Sequence, residues 1–296
     1  MSVLDYETMG QEDYPIFYRI ADSISIKQQK KYFLLLFLNL LLLILGASLT
    51  IFENNRIINV LTLVLFVISF LFLWISNKLN PLDLWYNGRA VAESVKSMTW
   101  KWMMKAKPYT SKGLHDSCEN LRTDFQTLMK QNRTIFGHLI YEAEPGFYSI
   151  TEKMRHIRES DIGDRMTFYS KNRIQEQLDW YQTKVNRFSK IYKYLFLVVI
   201  LLYVVITIFM IVSIVNPNSI FPIDILSTLV ASFISWMEAK KYKELSSAYK
   251  LAVDDIKLVK SGLKDVGKTE KDFTDFVVNS ENAFSREHTQ WIARKN

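Results

Sequence analysis

The sequence predicts an all-α membrane protein: four transmembrane helices paired as two hairpins, with long helices extending into a cytoplasmic helical bundle. Three observations carry this. Four apolar stretches, Tyr32–Phe52, Ile57–Ser76, Tyr194–Val215 and Ile220–Met237, are each near the roughly 20 residues an α-helix needs to cross about 30 Å of hydrocarbon. Of the 37 lysines and arginines, 36 lie outside the two short links within the pairs, and only Arg56 falls in one. Beyond the apolar stretches, apolar residues recur at steps of three and four, and in the segment from Thr110 to Gly163 nothing alternates as a strand requires.

The charge distribution also implies an orientation. Four basic residues precede the first stretch, 20 lie from Lys78 to Lys193, and 12 follow the fourth. The link around Asn216–Ser219 has none. By the positive-inside rule, both termini and the central region are expected in the cytoplasm, with two tight loops outside the plasma (inner) membrane. The first apolar run begins only at Tyr32 and has full spanning length, so it reads as a retained anchor rather than a cleaved signal. A net charge of +7 could suggest nucleic acid. The basic residues instead crowd the membrane edges, at Lys27, Lys30, Lys31, Lys184, Arg187, Lys190, Lys193, Lys240, Lys241 and Lys243. The partner this predicts is the lipid bilayer, not nucleic acid. The single cysteine, Cys118, cannot form an internal disulfide, which suits a reducing compartment.

Taken in order, the elements form two copies of one plan: a polar helix, a span, a tight turn, a second span and another polar helix. Asn80-Pro81-Leu82-Asp83 marks a helix start, with Asn as N-cap, Pro at the first helical position and Asp in the first turn. Trp85, Gly88, Ala92, Val95, Thr99 and Trp102 then form the seam of a packed helix, which Lys107-Pro108 should end. The segment from Thr110 to Gly163 should hold shorter helices broken at Gly113, Pro145-Gly146 and Gly163. No Gly or Pro separates Gly163 from Asn216, so one helix of roughly 75 Å should enter the third span. Within it Ile174, Leu178, Tyr181, Val185, Phe188 and Tyr192 alternate by four and three. After the fourth span, Tyr242, Leu245, Tyr249, Ala252, Ile256, Val259 and Leu263 do the same, which suggests an antiparallel coiled-coil stalk. The seams could equally pack on the central block. Setting Arg89 and Lys96 over Lys250 and Lys257 aligns Glu93 with Asp254 and Val95 with Ile256, which points to duplication. The domains this predicts are residues 1–110, a connector over 111–160, and residues 161–296.

Catalytic signatures are missing from the sequence. It holds no phosphate-binding loop, no HExxH and no cysteine pair. His115 and Cys118 could share a helix face, but two ligands make no zinc site. Glu287-His288 has no third partner to complete an acid–base relay. No enzyme, cofactor or metal is therefore expected.

The fourth stretch is the least apolar, and its polar residues are ordered. Asp224, Ser227, Thr228, Ala231, Ser235 and Glu238 fall at helical steps along one stripe. Two readings stay open: small and hydroxylated residues let helices approach closely, or the stripe lines a water-filled pore. Asp224 could also cap the helix after Pro222. The first span offers only Asn39, Gly46, Ser48 and Thr50 among apolar residues, which suits a lipid-facing scaffold helix.

Arg155-His156-Ile157-Arg158, Asp164-Arg165, Tyr169 and the run Arg173–Lys184 resemble the helix entering the spans of the SLATT family. So do Trp85–Lys96 after the first hairpin and the closing Phe284–Trp291. The resemblance covers nearly the whole chain as two fused domains. It implies a bacterial membrane effector, associated with nucleotidyltransferase and nucleotide-sensing partners, that forms pores during antiphage defence. Four helices make a poor conduit, so a pore implies a homo-oligomer. With no sensor domain in the sequence, the trigger would be a nucleotide second messenger or a partner acting on the cytoplasmic helices. The alternatives are a membrane-anchored scaffold that conducts nothing, and a constitutive channel or transporter.

Overall fold

The computed structural model describes residues 8–52, 56–111, 113–133, 149–267 and 269–293, with side chains given through Phe284. All regular structure among the described residues is helical. The elements are α1 (Ile16–Leu49), α2 (Arg56–Leu79), α3 (Pro81–Met103), α4 (Leu114–Gln131), α5 (Glu152–Glu159), α6 (Ile162–Tyr169), a π-helical segment (Ser170–Gln175), α7 (Glu176–Val215), α8 (Ile223–Lys240), α9 (Tyr242–Gly262) and α10 (Glu270–Ala293). Three helical runs are long and apolar enough to cross a membrane: Ile16–Leu49, Arg56–Met103 and Ile162–Val215. The fourth apolar stretch forms α8, which is 18 residues long and carries Asp224, Glu238 and Lys240.

The chain divides into two compact units: residues 1–28, 82–183 and 248–296, and residues 29–81 and 184–247. The first is polar outside and closely packed within. Trp100, Trp102, Phe17, Phe125, Tyr169 and Phe273 are fully buried. Each buried tryptophan satisfies its N–H, Trp100 by donating to the Tyr14 hydroxyl at 3.0 Å and Trp102 to the Ser117 carbonyl at 3.0 Å. The α3 seam is buried from Gly88 through Trp102. Gly88 allows α3 to lie against α1, since a Cβ there would stand 3.2 Å from the Ser25 backbone nitrogen.

The second unit has the opposite character, with large apolar side chains facing outward. Leu63 and Phe70 on α2 are each 63 % exposed, and Val215 at the end of α7 is 80 % exposed. No water-facing surface would keep such a belt, whereas hydrocarbon requires it. Its interior is small: Val199 and Ile206 of α7 meet Val230 and Met237 of α8. On α1 and α2, Ser69 donates its hydroxyl proton to Asn39 Oδ1 at 2.6 Å, and Gly46 faces the Phe66 ring. The polar and small residues of the first stretch are therefore not all turned to lipid. Asn39 and Gly46 serve the α1–α2 contact, while Ser48 and Thr50 return their protons to carbonyls of their own helix.

Local expectations hold in part. Pro81 does open α3, with Asp83 in its first turn. Asn80 is not an extended N-cap, however; it takes a left-handed conformation (φ 41°) after α2 and donates its N–H to the Ser76 carbonyl. Lys241, between α8 and α9, is left-handed as well (φ 48°), so both polar helices leave their apolar helices through one such residue. Helix α3 ends at Met103, ahead of Lys107-Pro108. Left-handed Lys105 stops it while the Ala106 N–H reaches back to the Lys101 carbonyl at 2.9 Å. Gly113 does precede α4. Gly163 breaks nothing: it lies in the first turn of α6, which Asp161 caps by accepting from the Asp164 N–H at 2.9 Å. The Pro145-Gly146 break lies outside the described residues. The long helix into the third stretch is helical throughout, but Ser170–Gln175 is wound as a π-helix.

Candidate functional site

The polar stripe of the fourth apolar stretch lies on α8, inside the apolar unit. Ile223, Leu226, Val230, Phe233 and Met237 form the face of α8 turned to α7, against Val199 and Ile206 with Tyr192, Leu195 and Leu202 around them. Four stripe residues, Asp224, Ser227, Ala231 and Glu238, each follow one member of that seam, about 100° further round the helix. Asp224, Ser227, Ala231, Ser235 and Glu238 are exposed, and Thr228 is half-buried. Thr228 donates its hydroxyl proton to the Asp224 carbonyl at 2.8 Å, which satisfies its one donor within the helix. Pro222 occupies the cap position, and Asp224 stands in the first turn, where the positive end of the helix dipole favours a carboxylate. The apolar unit thus spends its apolar helix face on internal packing and presents a polar one.

The residues expected to form a stalk interface fall in both units. In the polar unit Ile174, Leu178 and Tyr181 are buried, as are Ala252 and Ile256, while Tyr249 and Val259 are partly so. Tyr249 packs edge-on against Tyr181 at 5.4 Å and Trp180 at 5.6 Å. Leu263 falls beyond the end of α9, in a single 3-10 turn, and is half-buried. In the apolar unit the Phe188 and Tyr242 rings meet at 5.6 Å, and Ser246 donates to the Val185 carbonyl at 3.4 Å. Leu245 is half-buried nearby. In the apolar unit Val185 meets Ser246 and Phe188 meets Tyr242, so α7 and α9 run antiparallel there.

The polar unit also contains three buried arginines. Arg158 donates to the carbonyls of Trp102, Tyr109 (2.9 Å) and Ser111 (3.0 Å), with its guanidinium 4.8 Å from the Trp102 ring. Burial, with no carboxylate among these partners, pulls its pKa down to about 10. Arg165 donates to the Ser160 and Met104 carbonyls at 3.2 and 3.1 Å and pairs with Glu270. Arg173, in the π-helical segment, holds Glu281 of α10 through two bonds of 2.9 and 2.7 Å. Tyr169 donates its hydroxyl proton to the same carboxylate at 2.9 Å. Burial pulls the Arg173 guanidinium toward neutrality, and the Glu281 carboxylate more than reverses it, so the guanidinium stays charged. Arg173 and Glu281 are 2 % and 0 % exposed, and the second terminal nitrogen of Arg173 has no partner among the described residues. Lys96 lies nearby with its charge disfavoured, first by burial and then by Arg173.

These arginines belong to motifs legible in the sequence, but their burial and partners are not. The signal that exists is the spacing of Arg165 and Phe168, three apart and so on one helix face; Arg158 and Arg173 merely adjoin Ile157 and Ile174. Nothing local links Arg173 to Glu281. Among the described residues no group of three or more His, Cys, Asp or Glu side chains is placed to hold a metal. The side chains of Glu287-His288 lie outside the described residues.

An apolar unit with lipid-type surface, joined through its helices to a polar unit rich in buried charge, defines a multi-pass membrane protein. Two family models match the chain: SMODS and SLOG-associating 2TM effector domain 3 over residues 15–166, and domain 1 of that series over residues 169–291. The chain belongs to the SLATT family, as two fused effector domains. No curated protein and no solved structure matches it. Each matched stretch contributes an apolar helix pair to one spatial unit and polar helices to the other.

Proposed function

We propose that the chain is a membrane effector of bacterial conflict systems that assembles as a symmetric homo-oligomer and opens a water path bordered by the α8 stripe. The observation that carries this is the division of α8 into a buried apolar seam and an exposed polar stripe within a unit whose remaining surface suits lipid. Hydroxyls and carboxylates are costly against hydrocarbon, so the stripe needs water or another copy to cover it. Two 2TM domains support a reading with four crossings, and at 1.5 Å per residue α8 spans about 27 Å, close to the roughly 30 Å of the hydrocarbon layer. Charge asymmetry supports a reading in which both termini and residues 78–193 lie on the cytoplasmic side of the inner membrane. The opening signal, a nucleotide or a partner protein, would then act on the polar helices. The test is leakage from dye-filled vesicles containing the purified chain. Thr228→Leu and Ser235→Leu preserve insertion and should abolish leakage by dewetting the path, while Asp224→Lys should shift preference from cations to anions. Wild-type protein that oligomerises with its partner present yet leaves vesicles sealed would reduce the chain to a scaffold.

A further inference from the structure

Helix α9 carries a second face that its own chain leaves uncovered. Ala252, Val253 and Ile256 are buried on the inner face, whereas Leu251 and Leu258 on the outer face are 64 % and 70 % exposed. No other large apolar side chain described in the polar unit is as much as half exposed. The two leucines stand seven residues apart, two helical turns, and so line one stripe. With them at the a positions of a heptad, Lys250 and Lys257 take g on one flank and Asp255 takes e on the other. Asp254 and Ser261 fall at d, between the flanks. All of these side chains are exposed. Lys250, Asp255 and Lys257 have no ion-pair partner among the described residues.

Charge decides what covers this stripe. Hydrocarbon is excluded, because Lys250, Asp254, Asp255 and Lys257 surround the leucines. A helix laid on the stripe must offer a carboxylate to the lysine flank, apolar side chains to the leucines and a cation to Asp255. A second α9 offers all three when the two helices run parallel, since g of one helix then meets e of the other five residues on. Antiparallel pairing instead sets g against g and e against e, lysine against lysine. We propose that two copies of the chain associate through α9 as a parallel coiled coil, leucine on leucine, with Lys250 of each copy beside Asp255 of the other. The polar d positions make this contact weaker than an all-leucine seam and leave its register to the charge pairs. Such pairing rests on the homo-oligomer proposed above and needs no water path.

The test is oxidative crosslinking of the full-length chain carrying Cys118→Ser and Ser261→Cys, in phosphatidylglycerol–phosphatidylcholine vesicles at high lipid-to-protein ratio. Parallel pairing brings the two 261 positions within disulfide reach, and antiparallel pairing does not. A crosslinked dimer is expected, and Lys250→Glu or Asp255→Lys, each added to this background, should reduce it about tenfold. Mixing those two variants should restore the dimer, because each supplies the charge that the other has lost, and recovery also shows both to be folded. Lys257→Glu makes the same charge change on the same flank, but the e position facing it is Gly262, so it should crosslink as the background does. Absence of the dimer, no loss with Lys250→Glu, equal loss with Lys257→Glu, or no recovery on mixing would each overturn the interface. The expected pattern in vesicles that stay sealed would uphold it and count against conduction alone.

Discussion

Replacing Glu281 by Gln isolates the energetics of the buried pair in the polar unit. The substitution keeps the shape of the side chain and removes its charge, leaving the Arg173 guanidinium 2 % exposed with only neutral partners. Removing one member of a buried ion pair typically costs about 3–5 kcal/mol, because the remaining charge is neither solvated nor compensated. A Gln oxygen in the Oε1 position still accepts from Tyr169 and from Arg173 Nε, but its amide group then faces the Nη2 donor of Arg173, so up to about 1 kcal/mol more is at stake. At about 2–4 °C per kcal/mol for a chain of this class, a loss near 4 kcal/mol lowers Tm by roughly 8–16 °C. The assay is thermal unfolding in detergent, paired with hydrogen exchange read over residues 162–175 and 270–284. Arg173→Met combined with Glu281→Leu should recover at least half of the loss, since a pair with one terminal nitrogen already unpartnered gives little net stabilisation. A Glu281→Gln protein melting within about 2 °C of wild type, roughly 1 kcal/mol or less, would refute the reasoning. So would a double variant less stable than the single one.

Other expectations follow from the same packing. With Cys118 replaced by Ser, Asn218→Cys should label from outside intact cells and Gly113→Cys should not; the reverse would overturn the charge-based orientation. Ile256, 3 % exposed, should not tolerate Asp, at a cost of several kcal/mol and with assembly lost, whereas neighbouring Lys257→Asp on the exposed face should change little. Burial, then Arg173, lower the Lys96 pKa, so the folded chain releases this proton before the unfolded chain does. Lys96 should therefore add stability as pH rises toward its ordinary 10.5. Melting temperatures taken from about pH 8 to about pH 10 should show this as a wild-type gain relative to Lys96→Met, and parallel curves would remove the effect.

What the sequence makes legible here is what neighbouring residues encode. The α3 seam, the helix start at Pro81 and Asp83 and the first three apolar stretches are signals carried by neighbouring residues, and each lies on a helix where local reading puts it. Termination is harder to read. Asn80 is a residue type that tolerates the left-handed region, but Lys105 and Lys241 occupy it without any such hint. They do so because the backbone at those points must close a helix and turn, and the surrounding burial decides where. The π-helical winding at Ser170–Gln175 is invisible for a related reason. It brings Arg173 against a carboxylate 108 residues later, and periodicity contains no term for that meeting.

The buried arginines show how the two fused domains depend on each other. Arg158 and Arg165 lie in the first matched stretch, and Arg173 lies in the second. Arg158 finds its carbonyl partners within its own stretch, and Arg173 finds Glu281 within its own. Arg165 does not: its carboxylate partner is Glu270, in the other domain. That partner is more than half exposed, so the ion pair itself contributes little, while the bonds to the Ser160 and Met104 carbonyls hold the guanidinium in place. Duplication alone would produce two self-sufficient copies. A polar unit assembled from both stretches, with Phe273 of the second packed 5.8 Å from the Arg165 guanidinium of the first, means that neither copy completes this core by itself. Separating the chain near residue 167 should accordingly leave both halves unable to form the polar unit, even though each retains its apolar helix pair.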